Sequence, residues 1–196
     1  MAVSRSPIQL IAGLGNPGPA YERTRHNAGF RFVEELAIRH GGDFRPETRF
    51  HGETCRIGVA GHDCRLLKPM GFMNHSGQAI GAVARFVKLE PQSILVVHDE
   101  LDLDPGTARL KRGGGHGGHN GLRDTIQHIG KDFARLRLGI GHPGHKDKVT
   151  AYVLNRATRD EERAVHVAID KAADQAPRLI AGDWDKAVRE LHTAGE

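Results

Sequence analysis

Six glycines fall within eleven residues in Lys111-Arg-Gly-Gly-Gly-His-Gly-Gly-His-Asn-Gly121. Such a stretch cannot pack a core. It can bring backbone N–H groups close to a ligand, and N–H groups that lead into a helix form an anion site. Two smaller runs, Gly13, Gly15, Gly18 and Gly139, Gly141, Gly144, bring the total to twelve of the chain's 25 glycines. Each run adjoins an apolar segment. The chain is therefore constrained to a fold in which loops at the ends of a sheet build a site.

The apolar pattern supplies that sheet. Ile8–Ala12 reads as a buried strand running into Gly13, and Ser93–Val97 as a strand covered on both faces with Asp99-Glu100 just past its end. Thr54–Val59 and Asp63–Leu67 form a hairpin across Ala60-Gly61-His62, and Arg135–Ile140 alternates with period two. Helical spacing appears at Phe30, Val33, Leu36 and Ala37, closed by Gly41-Gly42. It recurs at Ile80, Val83, Ala84 and Val87, where Asn74 or Ser76 could cap, and again after Asn120. A long stripe starts at Glu161, Pro177 kinks or ends it, and a last helix carries Trp184, Val188 and Leu191. The pattern predicts an α/β fold: one domain with a mixed, mostly parallel central sheet surrounded by helices. Residues 1–7 read as a short extension, 8–192 as the domain and 193–196 as a tail.

Charge is uneven along the chain. The formal net charge is +4, but residues 109–148 hold nine basic and three acidic side chains. Arg159–Glu196 is net acidic, with six basic and nine acidic residues. A local excess of this kind points to a polyanionic partner on one face. No apolar run is long enough to span a bilayer and the N-terminus lacks a secretory pattern, so a cytoplasmic protein with free thiols at Cys55 and Cys64 is expected.

Several residues could carry chemistry. Gly13-Leu-Gly-Asn-Pro-Gly18 matches a dinucleotide fingerprint in letters. Pro17 and Pro19 bracket its last glycine and no helix opens on it, which argues against a cofactor site. Asn16 is either an amide presented on a rigid turn or a turn residue satisfying its own loop. His26, in the polar Arg23–Gly29 segment, has the residue type of a general base near neutral pH. Asp99 could orient an imidazole, cap a helix or make a surface ion pair. Asn74, after Lys68-Pro-Met-Gly-Phe-Met, offers a donor and an acceptor or caps the next helix. His116/His119 and His142/His145 share an i, i+3 spacing. No H-E-x-x-H or C-x-x-C accompanies them, so a metal is not expected.

Taken in order, Gly-Leu-Gly-Asn-Pro-Gly (13–18), Tyr21, Thr-Arg-His-Asn-Ala-Gly (24–29), Lys-Pro-x-x-x-Met-Asn (68–74), His-Asp-Glu-Leu-Asp (98–102), Gly-Gly-His-x-Gly-His-Asn-Gly (114–121) and Arg-Leu-Gly-Ile-Gly-His-Pro (137–143) resemble the bacterial peptidyl-tRNA hydrolase family. The likeness runs from about Ile8 to His192. It implies a monomeric enzyme, without metal or cofactor, that hydrolyses the ester between a peptide and tRNA. His26 would activate water and Asp99 would hold and polarise it. Asn16 would separate N-blocked from free aminoacyl esters. Asn74 and Asn120 would bind the peptide backbone and ester region, Asn74 also steadying the water or oxyanion. Tyr21 and Phe72 would touch the tRNA 3′ end or the peptide, while Lys111, His119 and Arg137 line the tRNA-side surface. The alternative is a non-catalytic RNA-binding domain. It shares the basic stretch, but aromatics, at 5% of residues, are too few for a base-stacking surface.

Overall fold

The computed structural model describes residues 6–193. The N-terminal extension and the tail therefore lie almost wholly outside the described residues. The strands are β1 (Leu10–Gly13), β2 (Arg45–Glu47), β3 (Gly52–Val59), β4 (His62–Pro69), β5 (Ile94–Glu100), β6 (Ala108–Arg112) and β7 (Ala134–Gly139). The helices are α1 (Ala28–His40), α2 (Ser76–Val87), α3 (Asn120–Ile129), α4 (Val149–Val153), α5 (Arg159–Ala173), α6 (Ala176–Ala181) and α7 (Trp184–Thr193). One sheet runs β2-β3-β4-β1-β5-β7-β6. Its central strands β4, β1, β5 and β7 are parallel, and the outer pairings are antiparallel. No helix among the described residues is long and apolar enough to cross a membrane.

Alternation along the central strands divides the core between two faces. Ile11, Leu95 and Val97 join the side chains of α1 and α5–α7 on one face. Leu10, Ala12, Ile94 and Val96 meet α2 and Leu122 of α3 on the other. These are continuous apolar runs because both faces are covered.

The glycines of the first loop do steric work. A Cβ on Gly13 would lie 2.1 Å from the Gly29 carbonyl oxygen, and one on Gly29 would lie 2.4 Å from that of Val97. Gly15 lies beneath the Phe30 ring, 2.6 Å from where its Cβ would be. The start of α1 is thus pressed against the ends of β1 and β5. That packing accounts for the first two glycines of the dinucleotide pattern, and the third, Gly18, serves the turn with φ 102°.

Three expectations are corrected. The hairpin turn has two residues, Ala60 and Gly61, both at positive φ (49° and 82°), so that Val59 pairs with His62. Strand β5 continues through Asp99 and Glu100, because β7 supplies ladder partners as far as Gly139. Neither Asn74 nor Ser76 caps α2. The N–H groups of Gly77 and Gln78 instead donate to Asp124 Oδ2 of α3, at 2.8 and 3.3 Å. The edge strands β2 and β6 were not anticipated: they are short and rich in charge, as exposed edges tend to be. Pro177 stands in the first turn of α6, and α5 has ended at Ala173. Cys55 and Cys64 are free and buried on β3 and β4, and burial pushes their thiols up to about 11 and about 12.

Candidate active site

His26 sits on a single 3-10 turn, Arg25–Asn27, that leads into α1. The glycine contacts of α1 carry that turn to the carboxyl end of β5. There His26 Nδ1 meets both carboxylate oxygens of Asp99, at 3.0 and 2.9 Å, across 73 residues of sequence. A carboxylate only accepts, so Nδ1 carries the proton and Nε2 presents its lone pair. Nε2 has no hydrogen-bond partner among the described residues, and His26 lines a pocket of about 850 Å³. Burial alone would lower the pKa of His26, but the charge and the hydrogen bond of Asp99 outweigh it and raise the imidazole above its ordinary value.

Asp99 is 3% exposed. Burial opposes its charge, yet His26 and His119 together hold it far below the usual carboxylate range. His119 reaches Asp99 Oδ1 through Nε2 at 2.8 Å. Its Nδ1 accepts the N–H groups of Gly121 (3.1 Å) and Leu122 (3.3 Å), so the side chain is also the N-cap of α3. That cap fixes the tautomer: the proton is on Nε2, aimed at Asp99. His119 was expected on the tRNA-side surface; the structure places it in the hydrogen-bond shell of Asp99, because the glycine loop folds back over the end of β5.

The ligand atoms of His26, Asp99 and His119 lie within 4.8 Å of one another, a set that could hold a metal ion. The hydrogen bonds oppose that use. Turning His119 Nε2 into a ligand would move its proton to Nδ1 and strip the cap from α3. The other histidine pair of the sequence is also used locally: His142 and His145 accept N–H groups two residues on through Nδ1, as His116 does. The i, i+3 spacing reflects tight turns. His98, on β5, lines the pocket from a buried position and is pushed down to about 3, first by burial and then by the neighbouring His119 imidazole.

Three asparagines face the same pocket. Asn16 is buried and held from three sides. Its Oδ1 accepts the N–H of Met73 at 2.7 Å, 57 residues away; its own N–H donates to Asn27 Oδ1 at 2.8 Å, and its carbonyl accepts from Asn27 Nδ2 at 2.9 Å. Only its Nδ2 donor group is left over. The local-turn reading of Asn16 therefore fails. Asn120 Oδ1 accepts from Arg123 Nη1 at 3.0 Å, which leaves its Nδ2 to the site. Asn74 is exposed and makes no side-chain hydrogen bond with a described residue. Tyr21 and Phe72 meet edge to face at 6.3 Å, with Phe72 on the pocket rim.

The basic segment divides. Lys111, Arg137 and Lys146 line the pocket. Arg135, 2% exposed, donates to the carbonyls of Gly114, Gly115 and Lys131 and so braces the glycine loop from beneath. Arg112 lies over the Trp184 ring at 4.2 Å. Arg25 was not singled out in the sequence. It donates to the Tyr152 carbonyl at 3.0 Å and to Glu161 at 2.9 Å, tying the segment after β7 to the turn that carries His26. Asn27 and Arg25 both belong to the Thr-Arg-His-Asn segment, whose polar character between strand and helix was the available signal.

Comparison with known proteins agrees across the chain. The family model described as peptidyl-tRNA hydrolase matches residues 10–196. The peptidyl-tRNA hydrolase of Halorhodospira halophila is 60% identical over 193 residues, covering 98% of this chain and 100% of its own. That of Alkalilimnicola ehrlichii is 54% identical, covering 98% and 99%. The crystal structure of peptidyl-tRNA hydrolase from Acinetobacter baumannii superposes with a TM-score of 0.94 at 49% identity, over 97% of each chain.

Proposed function

This chain belongs to the peptidyl-tRNA hydrolase family, and on that footing we propose that His26 is the general base for water attack on the ester joining a peptide to tRNA. The observation that carries the reading is the His26 Nδ1–Asp99 pair with Nε2 open to the pocket. Asp99 orients the ring and stabilises the imidazolium formed when Nε2 takes a proton from water. Hydroxide adds to the ester carbonyl, and the tetrahedral intermediate expels the ribose oxygen, which recovers a proton from His26. The products are a free peptide carboxylate and tRNA. Asn74 supplies an amide donor for the water or the oxyanion. Asn16 and Asn120 donate from Nδ2 to peptide carbonyls, a contact that every peptide offers whatever its side chains.

The tRNA side follows from charge. Lys111 and Arg137 face the pocket from β6 and β7 and pair with phosphates of the acceptor end. Tyr21 and Phe72 contact the 3′ end or the peptide. His119 belongs with Asp99 in this reading rather than with the tRNA surface. The protein works as a cytoplasmic monomer with no cofactor. A non-catalytic RNA-binding role is not favoured, since relatives that cover the whole chain are hydrolases.

The test compares N-acetylated with free aminoacyl-tRNA. The blocked ester is hydrolysed and the free one is largely spared. Equal rates on both would contradict the assignment of Asn16.

A further inference from the structure

A second cleft, of about 710 Å³, adjoins Asn16, Pro17 and Gly18 and shares only Asn16 with the lining of the pocket among the described residues. Asn16 is the residue that lines both. Tyr21, next in sequence to Glu22 of the cleft wall, meets Phe72 of the pocket rim edge to face. Beyond Met70 and Glu53 the cleft continues into a further depression, whose described lining holds Glu47 and Glu53 and no Lys or Arg.

The walls of this cleft differ from the basic side of the pocket. Lys68 crosses it already committed, to Glu34 at 3.3 Å and Glu53 at 3.1 Å. Glu22 and Glu162 line it with no ion-pair partner among the described residues, and so do Arg23 and Arg31. Carboxylates thus number four against three cations. This is a polar, charged trough and not an apolar hole.

We propose that this cleft is the subsite for the peptide residues that precede the ester-linked one, and that its carboxylates favour basic over acidic side chains there. The proposal rests on the ester reading of the pocket. A peptide held at its C-terminal carbonyl beside His26 must leave the pocket away from the tRNA. Among the described residues Asn16 alone lines both cavities and its Nδ2 has no partner, and an extended residue advances about 3.3 Å, so the next one or two side chains reach the cleft. Recognition at Asn16 is by backbone. Selection among side chains comes after it, from Glu22 and Glu162.

The test uses one tRNA carrying N-acetyl-Ala, N-acetyl-Lys-Ala or N-acetyl-Glu-Ala. N-acetyl-Ala-tRNA has no residue to reach the cleft and serves as the reference for each protein. The parent should give a higher kcat/KM with Lys than with Glu upstream. Glu22→Lys with Glu162→Lys should lower that Lys/Glu ratio by about tenfold, since each change exchanges attraction for repulsion. The neutral pair, Glu22→Gln with Glu162→Gln, should fall between. Equal ratios in all three proteins, with N-acetyl-Ala-tRNA still turned over, overturn the subsite. Failure of the parent to hydrolyse N-acetyl-Ala-tRNA would instead sink the ester reading itself, and the subsite with it.

Discussion

His119 donates from Nε2 to Asp99 Oδ1 at 2.8 Å while its Nδ1 caps α3. One imidazole therefore joins the stability of a helix to the orientation of the Asp99 carboxylate. The two duties can be separated by substitution. His119→Ala loses both, lowering stability by about 1 kcal/mol for the cap and reducing kcat. His119→Asn restores a capping oxygen but cannot donate to Asp99. It should melt close to the parent yet keep the loss in kcat, roughly tenfold for a hydrogen bond to a charged group. Parent-like kcat in both variants would remove His119 from the site.

The His26–Asp99 pair sets a pH dependence. Asp99 raises the pKa of His26 against the effect of burial, and only the neutral imidazole can accept a proton. The rate, kcat/KM, should therefore rise with pH through a midpoint above the 6.5 of an ordinary histidine. In Asp99→Asn the raising causes vanish and burial remains, so the midpoint moves to lower pH while the plateau drops. A midpoint that does not move would mean that another group titrates.

Arg135 and Lys111 belong to the same basic segment but should answer different assays. Lys111 is exposed on the pocket rim, so Lys111→Ala should weaken tRNA binding and reduce the log–log salt slope by about 0.7 to 0.9. Arg135 is buried under the glycine loop, so Arg135→Ala should lower stability by roughly 2–3 kcal/mol by leaving its carbonyl partners unpaired. Isothermal binding over a salt series and chemical denaturation separate the two.

Two glycines of the first loop should tolerate alanine differently. Gly13→Ala drives a methyl into the Gly29 carbonyl, which α1 cannot relieve without leaving β1 and displacing His26. Gly18 has φ 102° and open space where a Cβ would stand, so alanine there costs only backbone strain, about 1–3 kcal/mol. Thermal melts should show Gly13→Ala as much the less stable protein.

Much of this arrangement is written locally in the chain. Ile94–Val97 reads as a doubly covered strand because its whole run is apolar, and α1 ends where Gly41 takes up φ 70°. What the sequence could not show depends on distant partners. Asp99 remains in β5 because β7 runs alongside it. Asn74 is released from capping because Asp124, 50 residues later, serves α2. Arg135 and Lys111 carry the same charge, and only the fold puts one beneath the glycine loop and the other on its rim. The histidine pairs fit a metal pattern by spacing alone. Their tautomers, set by turn N–H groups, give them another use.

The central claim is that His26 performs chemistry and does not merely bind tRNA. Single-turnover hydrolysis of a peptidyl-tRNA by His26→Ala, measured beside its tRNA affinity, tests this most directly. Hydrolysis should fall by about 10²- to 10⁴-fold, the usual contribution of a general base, with Kd for tRNA nearly unchanged. Parent-like hydrolysis by His26→Ala, or a loss of rate that follows a loss of binding, would contradict the account.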